Sequence, residues 1–372
     1  MSVYERLGVD RVINASGRMT HLGGATLSAP VVAAMAEAST TYAELAQLKR
    51  QAGRRVAELA GAEDGVITSG ASAGIVLMVA AVVAGTDPVR VAALPNAAWE
   101  PRGIVIQAGH LVNFGAPVSQ MVAIGGGAVA AVGSVNLVGA DEIRSAIDAR
   151  TAAVLFIQSH HAVQKGMVDL ARVIEIAHGK NVPVLVDAAA EEDLRRYVAM
   201  GADLVAYSGG KAFEGPTSGL VVGRGDLIAA CRAQERGVAR PMKVGKEAIA
   251  GLVAALEAYV SRDDAAQRAV WDGYVETMRD GLKDLPYLRL SLEADEAGRD
   301  IRRLAVRAAQ DAPFGVADLV ADLAAGRPAV IVRDHHLREG VFHLDPRPLS
   351  EDDPRIVVER LRAIVNARAE GK

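Results

Sequence analysis

The chain has 372 residues, of which 51% are hydrophobic and 4% aromatic, and its formal net charge is −4. This length favours one large domain with a smaller one, and the composition excludes a disordered chain. The two signs of charge are interspersed, which argues against nucleic acid or an anionic membrane as a partner, and a single cysteine, Cys231, excludes an intrachain disulfide framework.

Residues 1–50 are predicted to form an N-terminal arm and a first helix. The opening stretch MSVYERLGVDRVINASG carries early charges and no continuous apolar run, so it is not typical of a secretory signal. No uninterrupted run of about 20 apolar residues occurs, which argues against a membrane span. We therefore expect a cytoplasmic protein.

Residues 51–245 alternate short apolar runs with helix-length amphipathic segments. Runs rich in Val, Ile and Leu are typical of buried parallel strands, and their alternation with helices predicts a doubly wound α/β sheet. The predicted strands are Gly65–Thr68, Gly103–Gln107, Ala152–Gln158, Pro183–Asp187, Asp203–Ser208 and Gly219–Gly223, and the predicted helices are Ser72–Ala84, Asp169–Gly179 and Glu191–Met200.

The pattern changes after residue 245. Residues 246–284 predict a helical segment between two domains. Residues 285–372 predict a small α+β domain in which LRLSLEA, RRLAVRAA, PAVIVRD and VFHLDP form antiparallel strands. A last helix is predicted over Glu351–Ala369, with Ser350 as its N-cap.

Three segments of the large domain carry candidate chemistry. Asp187 ends an apolar strand and so faces the crevice in which α/β sheets bind ligands, although a single such aspartate is more often a helix N-cap. Lys211 lies in YSGGKAFEGPTSGLVVG, a glycine-rich turn between two buried strands, which leaves its amine partly desolvated and able to attack a carbonyl. The segment TSGASAG joins a strand to an alanine-rich helix whose free N–H groups suit an anion.

In this order, the three segments resemble the phosphate loop, strand-end aspartate and Schiff-base lysine of fold-type I pyridoxal-phosphate (PLP) enzymes. VDAAAEED, YSGGKAFEGPTSGLVVGR, RPMKVGKEAIAGLVAALEAY and INASGRMTHLGG are similar to the group that contains L-seryl-tRNA selenium transferase and D-glucosaminate-6-phosphate ammonia-lyase. The resemblance runs in patches over nearly the whole chain. It implies a fold-type I, mainly parallel sheet of the seven-stranded type between helices, with a smaller C-terminal α+β domain.

The resemblance also implies roles for individual residues. Lys211 would hold PLP as an internal aldimine, and Asp187 would pair with the ring nitrogen, which stays protonated beside a carboxylate. The segment GIVIQAGHLVNFG places His110 where this group stacks a histidine on the ring. The residues that would contact the phosphate are Gly70, Ala71, Ser72 and Ser208.

The substrate carboxylate calls for a bidentate cation, which arginine supplies. The candidates are Arg333 and Arg347 in the small domain, which closes over the substrate in fold-type I enzymes, and Arg18. Phe114 and Gly115 replace the Tyr–Asp that relatives carry there, so contacts to the substrate differ at this point.

No metal site is predicted. His160 and His161 are adjacent, so on a strand their side chains would point to opposite faces, and no third ligand follows at helical spacing. The segment Asp334–His336 is similar in this respect.

The reaction is implied by the resemblance alone. It would begin with removal of the α-proton of an amino acid or amino-sugar acid by Lys211, and loss of a β-substituent would then give a 2-keto acid and ammonia. An aminotransferase, racemase or aldolase, and a selenium-transferase-like protein without tRNA activity, stay open as alternatives. The tRNA-dependent reaction is disfavoured because neither the length nor a basic patch provides the extra tRNA-binding domain of the bacterial enzymes.

Two other classes of function are weaker interpretations. One is a regulatory protein that binds PLP or another ligand without turnover, and no DNA-binding segment supports it. The other is an NAD-dependent oxidoreductase, which lacks the GxGxxG fingerprint and the acidic residue expected after it. The resemblance implies a homodimer or larger assembly that acts on a small-molecule substrate, and it leaves the identity and stereochemistry of that substrate open.

Overall fold

The computed structural model describes residues 2–159, 162–295 and 300–371. Its helices are α1 (Val3–Arg6), α2 (Ala29–Thr40), α3 (Leu45–Ala60), α4 (Ala71–Ala84), α5 (Pro88–Ala93), α6 (Val118–Ile124), α7 (Ala140–Ala146), α8 (Leu170–His178), α9 (Arg196–Ala199), α10 (Gly225–Ala233), α11 (Lys246–Val260), α12 (Asp264–Leu282), α13 (Val316–Ala325) and α14 (Asp353–Ala369). Its strands are β1 (Val12–Ala15), β2 (Asp64–Thr68), β3 (Gly103–Gln107), β4 (Ala128–Val132), β5 (Thr151–Ile157), β6 (Val184–Asp187), β7 (Leu204–Ser208), β8 (Gly219–Gly223), β9 (Leu288–Ala294), β10 (Arg302–Ala308), β11 (Ala329–Val332) and β12 (Val341–Leu344). The chain divides into a large unit, residues 24–261, and a small unit, residues 1–23 with 262–372.

The large unit is built on a seven-stranded sheet in the order β2-β8-β7-β6-β5-β3-β4. Only β8 runs antiparallel to its neighbours, β2 and β7. Successive residues of β6 point to opposite faces, so Val184 and Val186 enter one hydrophobic core and Leu185 enters the other. The predicted fold class, a mainly parallel sheet covered on both faces, is confirmed.

Helix α4 shows how tightly the helices pack on this sheet. It is apolar on all sides because nearly all of its residues are buried. A Cβ on Gly74 would lie 3.0 Å from the Cβ of Ala206 in β7 and 3.2 Å from a methyl of Val221 in β8. Among the described residues, neither α4 nor any other helix is long and apolar enough to cross a membrane.

One predicted helix of the large unit is much shorter than expected. The sequence predicts a helix over Glu191–Met200, whereas α9 covers only its second half. The carboxylate of Asp193 accepts hydrogen bonds from the backbone N–H groups of Arg195 and Arg196, both at 3.0 Å. Such side-chain bonding competes with helical pairing, so regular structure begins after this point.

The small unit contains two separate sheets. Strands β12, β10 and β9 form an antiparallel sheet in that order. The prediction that PAVIVRD joins this antiparallel set is wrong for β11, which pairs in parallel with β1 at the start of the chain. In this segment only Arg333, after β11, forms an antiparallel bridge, with His343 of β12. Ile13 and Ala15 of β1 are fully buried, so apolar packing fixes this N-terminal strand in the small unit.

The observed division differs from the predicted boundaries at 50, 245 and 285. Residues 1–23 belong to the small unit, and residues 24–50 belong to the large unit. The predicted segment 246–284 is two helices, because the side chain of Asp263 accepts from the N–H groups of Ala265 and Ala266 and starts α12 anew. The last helix begins at Asp353, since Ser350 donates to the carboxylate of Asp353 instead of capping the helix.

Candidate active site

The residues predicted from the sequence for the large unit meet at one edge of its sheet. Strands β2, β6 and β7 end at this edge, and β8 begins there. In the strand register, Gly219 of β8 is opposite both Thr68 of β2 and Ser208 of β7. Asp187 of β6 is opposite Ala206 of β7. Neighbouring strands lie about 4.8 Å apart, so the TSGASAG turn, Asp187 and the lysine turn share one crevice edge.

Asp187 is a buried carboxylate, only 5% exposed. Its Oδ1 accepts a hydrogen bond of 3.1 Å from the backbone N–H of Ala189. Burial raises the pKa of Asp187 to about 6, even though the positive charge of Lys211 acts in the opposite direction. The negative charge of Glu191 adds to the increase. A desolvated carboxylate of this kind is suited to a protonated ring nitrogen.

Lys211 lies in a closed turn between β7 and β8. The N–H of Gly209 donates to the carbonyl of Ser218, and the N–H of Gly215 donates to the carbonyl of Gly209, both at 2.8 Å. The Lys211 side chain is half-buried, as expected for a lysine confined between buried strands. A Cβ on Gly24 would lie 2.6 Å from the carbonyl oxygen of Gly210, so a second segment of the large unit closely approaches this turn.

The TSGASAG turn is built to leave the first N–H groups of α4 available. Gly70 is the N-cap of α4 and provides no side-chain cap, and its carbonyl accepts from the hydroxyl of Thr68 at 2.8 Å. Ala71 is buried and Ser72 is exposed at the helix start. A Cβ at position 219 would lie 2.6 Å from the Gly70 backbone, so only glycine lets the turn pack on β8. This geometry suits an anion such as a phosphate.

His110 is a fully buried histidine beside the end of β5. Its Nδ1 accepts from the backbone N–H of Ile157 at 3.3 Å, and its ring meets Phe156 edge-on at 4.5 Å between centroids. Burial lowers the pKa of His110 to about 4, so the ring is neutral at physiological pH. Ile157 is opposite Asp187 in the strand register, so His110 bonds to the strand beside the one that ends at Asp187. Because the ring is 0% exposed, neither of its faces is open to solvent, and its stacking role stays a prediction.

The three candidate arginines all belong to the small unit. Arg347 donates from Nε and Nη2 to Asp345, at 3.0 and 2.8 Å, and Arg303 donates to the same carboxylate at 2.7 Å. Although burial alone would raise the pKa of Asp345, Arg347 and Arg303 outweigh it and hold that pKa well below its usual range. Arg333 exchanges backbone hydrogen bonds with His343, and Arg18 is half-buried. Binding of a substrate carboxylate by these arginines stays a prediction.

The segments considered for metal binding give no support for a site. Within the ranges that the structure describes, no group of three or more His, Cys, Asp or Glu side chains is arranged to hold a metal ion. His336 of the Asp334–His336 segment pairs with Glu339 at 3.0 Å. His160 and His161 lie outside the described residues. The expectation of no metal stays a prediction.

The residues at the sheet edge fit PLP. A buried carboxylate, a lysine in a glycine turn and an uncapped helix start could hold its ring nitrogen, aldehyde and phosphate respectively. Two residues of this region were not predicted from the sequence: Glu191, which acts electrostatically on Asp187, and Gly219, which leaves room for the TSGASAG turn. A glycine opening an apolar strand was the available signal for Gly219.

Comparisons with known proteins identify relatives over the whole chain. The family model described as SelA, L-seryl-tRNA selenium transferase, matches residues 12–272. D-glucosaminate-6-phosphate ammonia lyase of Salmonella typhimurium (strain 14028s / SGSC 2262) is 42% identical over 370 residues, which are 99% of each chain. A solved structure of D-glucosaminate-6-phosphate ammonia-lyase matches with a TM-score of 0.93 over 99% of each chain.

Two further proteins match this chain, one in sequence and one in fold. A 5'-C-glycyluridine monooxygenase-decarboxylase of a Streptomyces species is also 42% identical, over 97% of this chain and 92% of its own length. The solved Sphingomonas wittichii serine palmitoyltransferase is 14% identical with a TM-score of 0.56, covering 97% of this chain and 88% of that one. At that identity the last match shows a shared fold only.

Proposed function

This chain belongs to the L-seryl-tRNA selenium transferase family, and from that premise we propose that it is a PLP-dependent lyase. Its substrate would be an amino acid or amino-sugar acid, and its products a 2-keto acid and ammonia. The observation that carries the proposal is the single sheet edge at which buried Asp187, Lys211 and the uncapped start of α4 meet.

Each of these residues has a distinct task in the proposed site. Bound PLP supplies an aldehyde that captures amines and a ring that withdraws electrons from the substrate Cα. The carboxylate of Asp187 would hold a proton on the ring nitrogen. The N–H groups at Gly70, Ala71 and Ser72 would bind the phosphate, and Ser208 would add a contact from the end of β7.

Lys211 has two roles in this proposal. Its Nζ would hold the cofactor, and as a free amine it would accept the proton from the substrate Cα. The β-substituent would leave together with a proton, and water would hydrolyse the released enamine to the 2-keto acid and ammonia. Arg347, Arg333 and Arg18 remain the candidates for the substrate carboxylate, and His110 the candidate for contact with the ring.

The choice of an elimination rests on the ammonia lyase as a relative. That protein is named for the release of ammonia from an amino-sugar acid phosphate, and its chain matches this one from end to end. A second candidate function is favoured by the Streptomyces relative, which has the same identity and is named as a monooxygenase-decarboxylase. An aminotransferase, racemase or aldolase is a weaker alternative, because none of the relatives described above bears such a name.

The test is an assay of products from purified protein loaded with PLP. D- and L-serine, amino-sugar acids and D-glucosaminate 6-phosphate are supplied, and 2-keto acid, ammonia, CO₂ and consumed O₂ are measured in parallel. We expect equal amounts of keto acid and ammonia without O₂ uptake, and no product from the Lys211→Ala variant. Uptake of O₂ with release of CO₂ would establish the second candidate, and dependence on an added keto-acid acceptor would establish an aminotransferase.

We also propose, from the family, a cytoplasmic homodimer or larger assembly. Light scattering on the purified protein measures its mass in solution. A mass of at least two chains is expected, and a monomer at micromolar concentration would contradict the proposal.

A further inference from the structure

A four-residue segment, the acidic loop (residues 191–194), follows the strand that ends at Asp187. Three tyrosine hydroxyls donate hydrogen bonds to this loop. The bonds run from Tyr197 to Oε2 of Glu191 (2.8 Å), from Tyr259 to the carbonyl of Glu192 (2.7 Å), and from Tyr207 to the carbonyls of Asp193 and Leu194 (3.1 Å each). One short loop is therefore held from α9, α11 and β7 at once.

The rings of these tyrosines connect the acidic loop to the lysine turn. The ring centroids of Tyr197 and Tyr207 are 6.5 Å apart, those of Tyr207 and Phe213 are 5.6 Å apart, and those of Phe213 and Tyr259 are 5.0 Å apart. Phe213 lies two residues after Lys211. The chain has only five Phe and seven Tyr residues, so four of them in one cluster is a strong local concentration.

Packing alone does not require the three hydroxyls to converge on this loop. Glu191 is half-buried and its negative charge acts on the buried Asp187, so these two carboxylates repel each other where water solvates them poorly. The N–H of Glu191 donates to the carbonyl of Ala188, which ties the loop to the strand end. The Tyr197 hydroxyl holds the Glu191 carboxylate in place against this repulsion, and the Tyr207 and Tyr259 hydroxyls fix the backbone of the same loop.

We propose that Tyr197, Tyr207 and Tyr259 are positioning residues that fix the acidic loop, and with it Asp187, relative to the Lys211 turn. This inference rests on the proposed function, because the geometry that it preserves is that of the PLP site. The tyrosines act through the loop and do not themselves contact the reacting atoms.

The test removes single hydroxyl groups and keeps the rings. Tyr259→Phe and Tyr207→Phe are compared with the wild-type protein and with Tyr42→Phe, a control at a fully exposed tyrosine of the same unit. The readouts are the Kd of PLP for cofactor-free protein, the pH midpoint of the visible absorbance of bound PLP, and the Tm. A lost hydrogen bond corresponds to about a two- to tenfold change in an equilibrium constant.

We expect Tyr259→Phe and Tyr207→Phe to raise the Kd of PLP about three- to tenfold and to move the pH midpoint, because the charge of Glu191 shifts relative to Asp187. Tyr42→Phe should match the wild type in all three readouts. If both variants have a lower Tm but an unchanged Kd of PLP and an unchanged pH midpoint, the hydroxyls contribute only to folding stability, and the inference is overturned. If the wild type binds no PLP, the proposed function fails and this inference fails with it.

Discussion

At the scale of single residues, the most informative feature is a carboxylate kept where water cannot solvate it. Asp187 is buried and its pKa is raised to about 6, so the folded protein without cofactor carries an unfavourable group above that pH. A buried, unfavourable negative charge at a strand end is typical of a binding site in which the ligand brings the positive group that pairs with it. Buried Cys231 carries no such cost. Burial raises the pKa of its thiol to about 12, so the thiol stays neutral at physiological pH, and its sulfur lies near the carbonyl of Leu77.

The substitution Asp187→Asn removes this negative charge, so it tests separately how the charge affects folding stability and how it affects PLP binding. The pKa of Asp187 is about 6 in the folded protein and 3.8 ordinarily, so its contribution to folding stability is lost as pH rises from about 4 to about 6. We expect cofactor-free Asp187→Asn to be more stable than the wild type at pH 7.5 by on the order of 1–3 kcal/mol, with no difference at pH 4. Denaturant unfolding at both pH values measures this.

The same variant should bind PLP at least about tenfold more weakly, because an amide does not hold a proton on the ring nitrogen as a carboxylate does. Titration of the cofactor-free variant with PLP gives the Kd. A variant that is less stable than the wild type at pH 7.5, or that binds PLP equally well, would contradict the role given to Asp187.

At the scale of elements, the TSGASAG turn depends on a residue in a neighbouring strand. Gly219→Ala should push the turn away from β8, because the new Cβ would lie 2.6 Å from both the Gly70 backbone and the Thr68 hydroxyl. We expect the Kd of PLP to rise about tenfold or more, and the Tm to fall, because the close contact is with backbone that cannot rotate away. Gly273→Ala is the matched control, since its Cβ would meet nothing within 4 Å and alanine favours the helix.

Secondary-structure elements that depend only on their own local residue pattern could be predicted from the sequence. The six predicted strands of the large unit are apolar on both faces, and all six are present within a residue at each end. Strand β4 was missed because its alternate residues are exposed at the sheet edge and its AVAAV sequence has little contrast. The acidic loop was predicted as helix because apolar periodicity does not show that the Asp193 carboxylate bonds the N–H groups of Arg195 and Arg196, or that Tyr259, 67 positions away, donates to the loop.

Asp187 and Lys211 could be proposed as site residues from the sequence because strand ends and glycine turns are recognisable one segment at a time. The role of Gly219 depends on which strands are neighbours, so it became visible only with the strand order. The partner of β11 was also assigned wrongly because the sequence does not show which strands are neighbours.

At the scale of the whole molecule, the start of the chain completes the small unit. Strand β1 pairs with β11 across more than 300 residues of sequence, and Ile13 and Ala15 enter the core of the small unit. The N-terminal segment, which contains Arg18, therefore packs as part of the small unit, whereas the sequence pattern predicted an arm.

Substitutions at adjacent positions of β1 test this assignment. Ile13 is 1% exposed and Val12 is 41% exposed, so the two side chains differ in burial within one strand. We expect Ile13→Ala to lower the free energy of unfolding by about 2–4 kcal/mol, and Val12→Ala to lower it by less than about 1 kcal/mol. Denaturant unfolding gives both values, and equal effects would show that β1 is not packed as described.

The central claim is that one lysine amine at the sheet edge holds the cofactor, and trapping that bond tests it most directly. Protein loaded with PLP is reduced with borohydride, digested, and its peptides are weighed by mass spectrometry. We expect one reduced pyridoxyl-phosphate group on the peptide that contains Lys211, and no label in the Lys211→Ala variant. A label on another lysine, such as Lys165 or Lys246, with Lys211 unmodified, would contradict it.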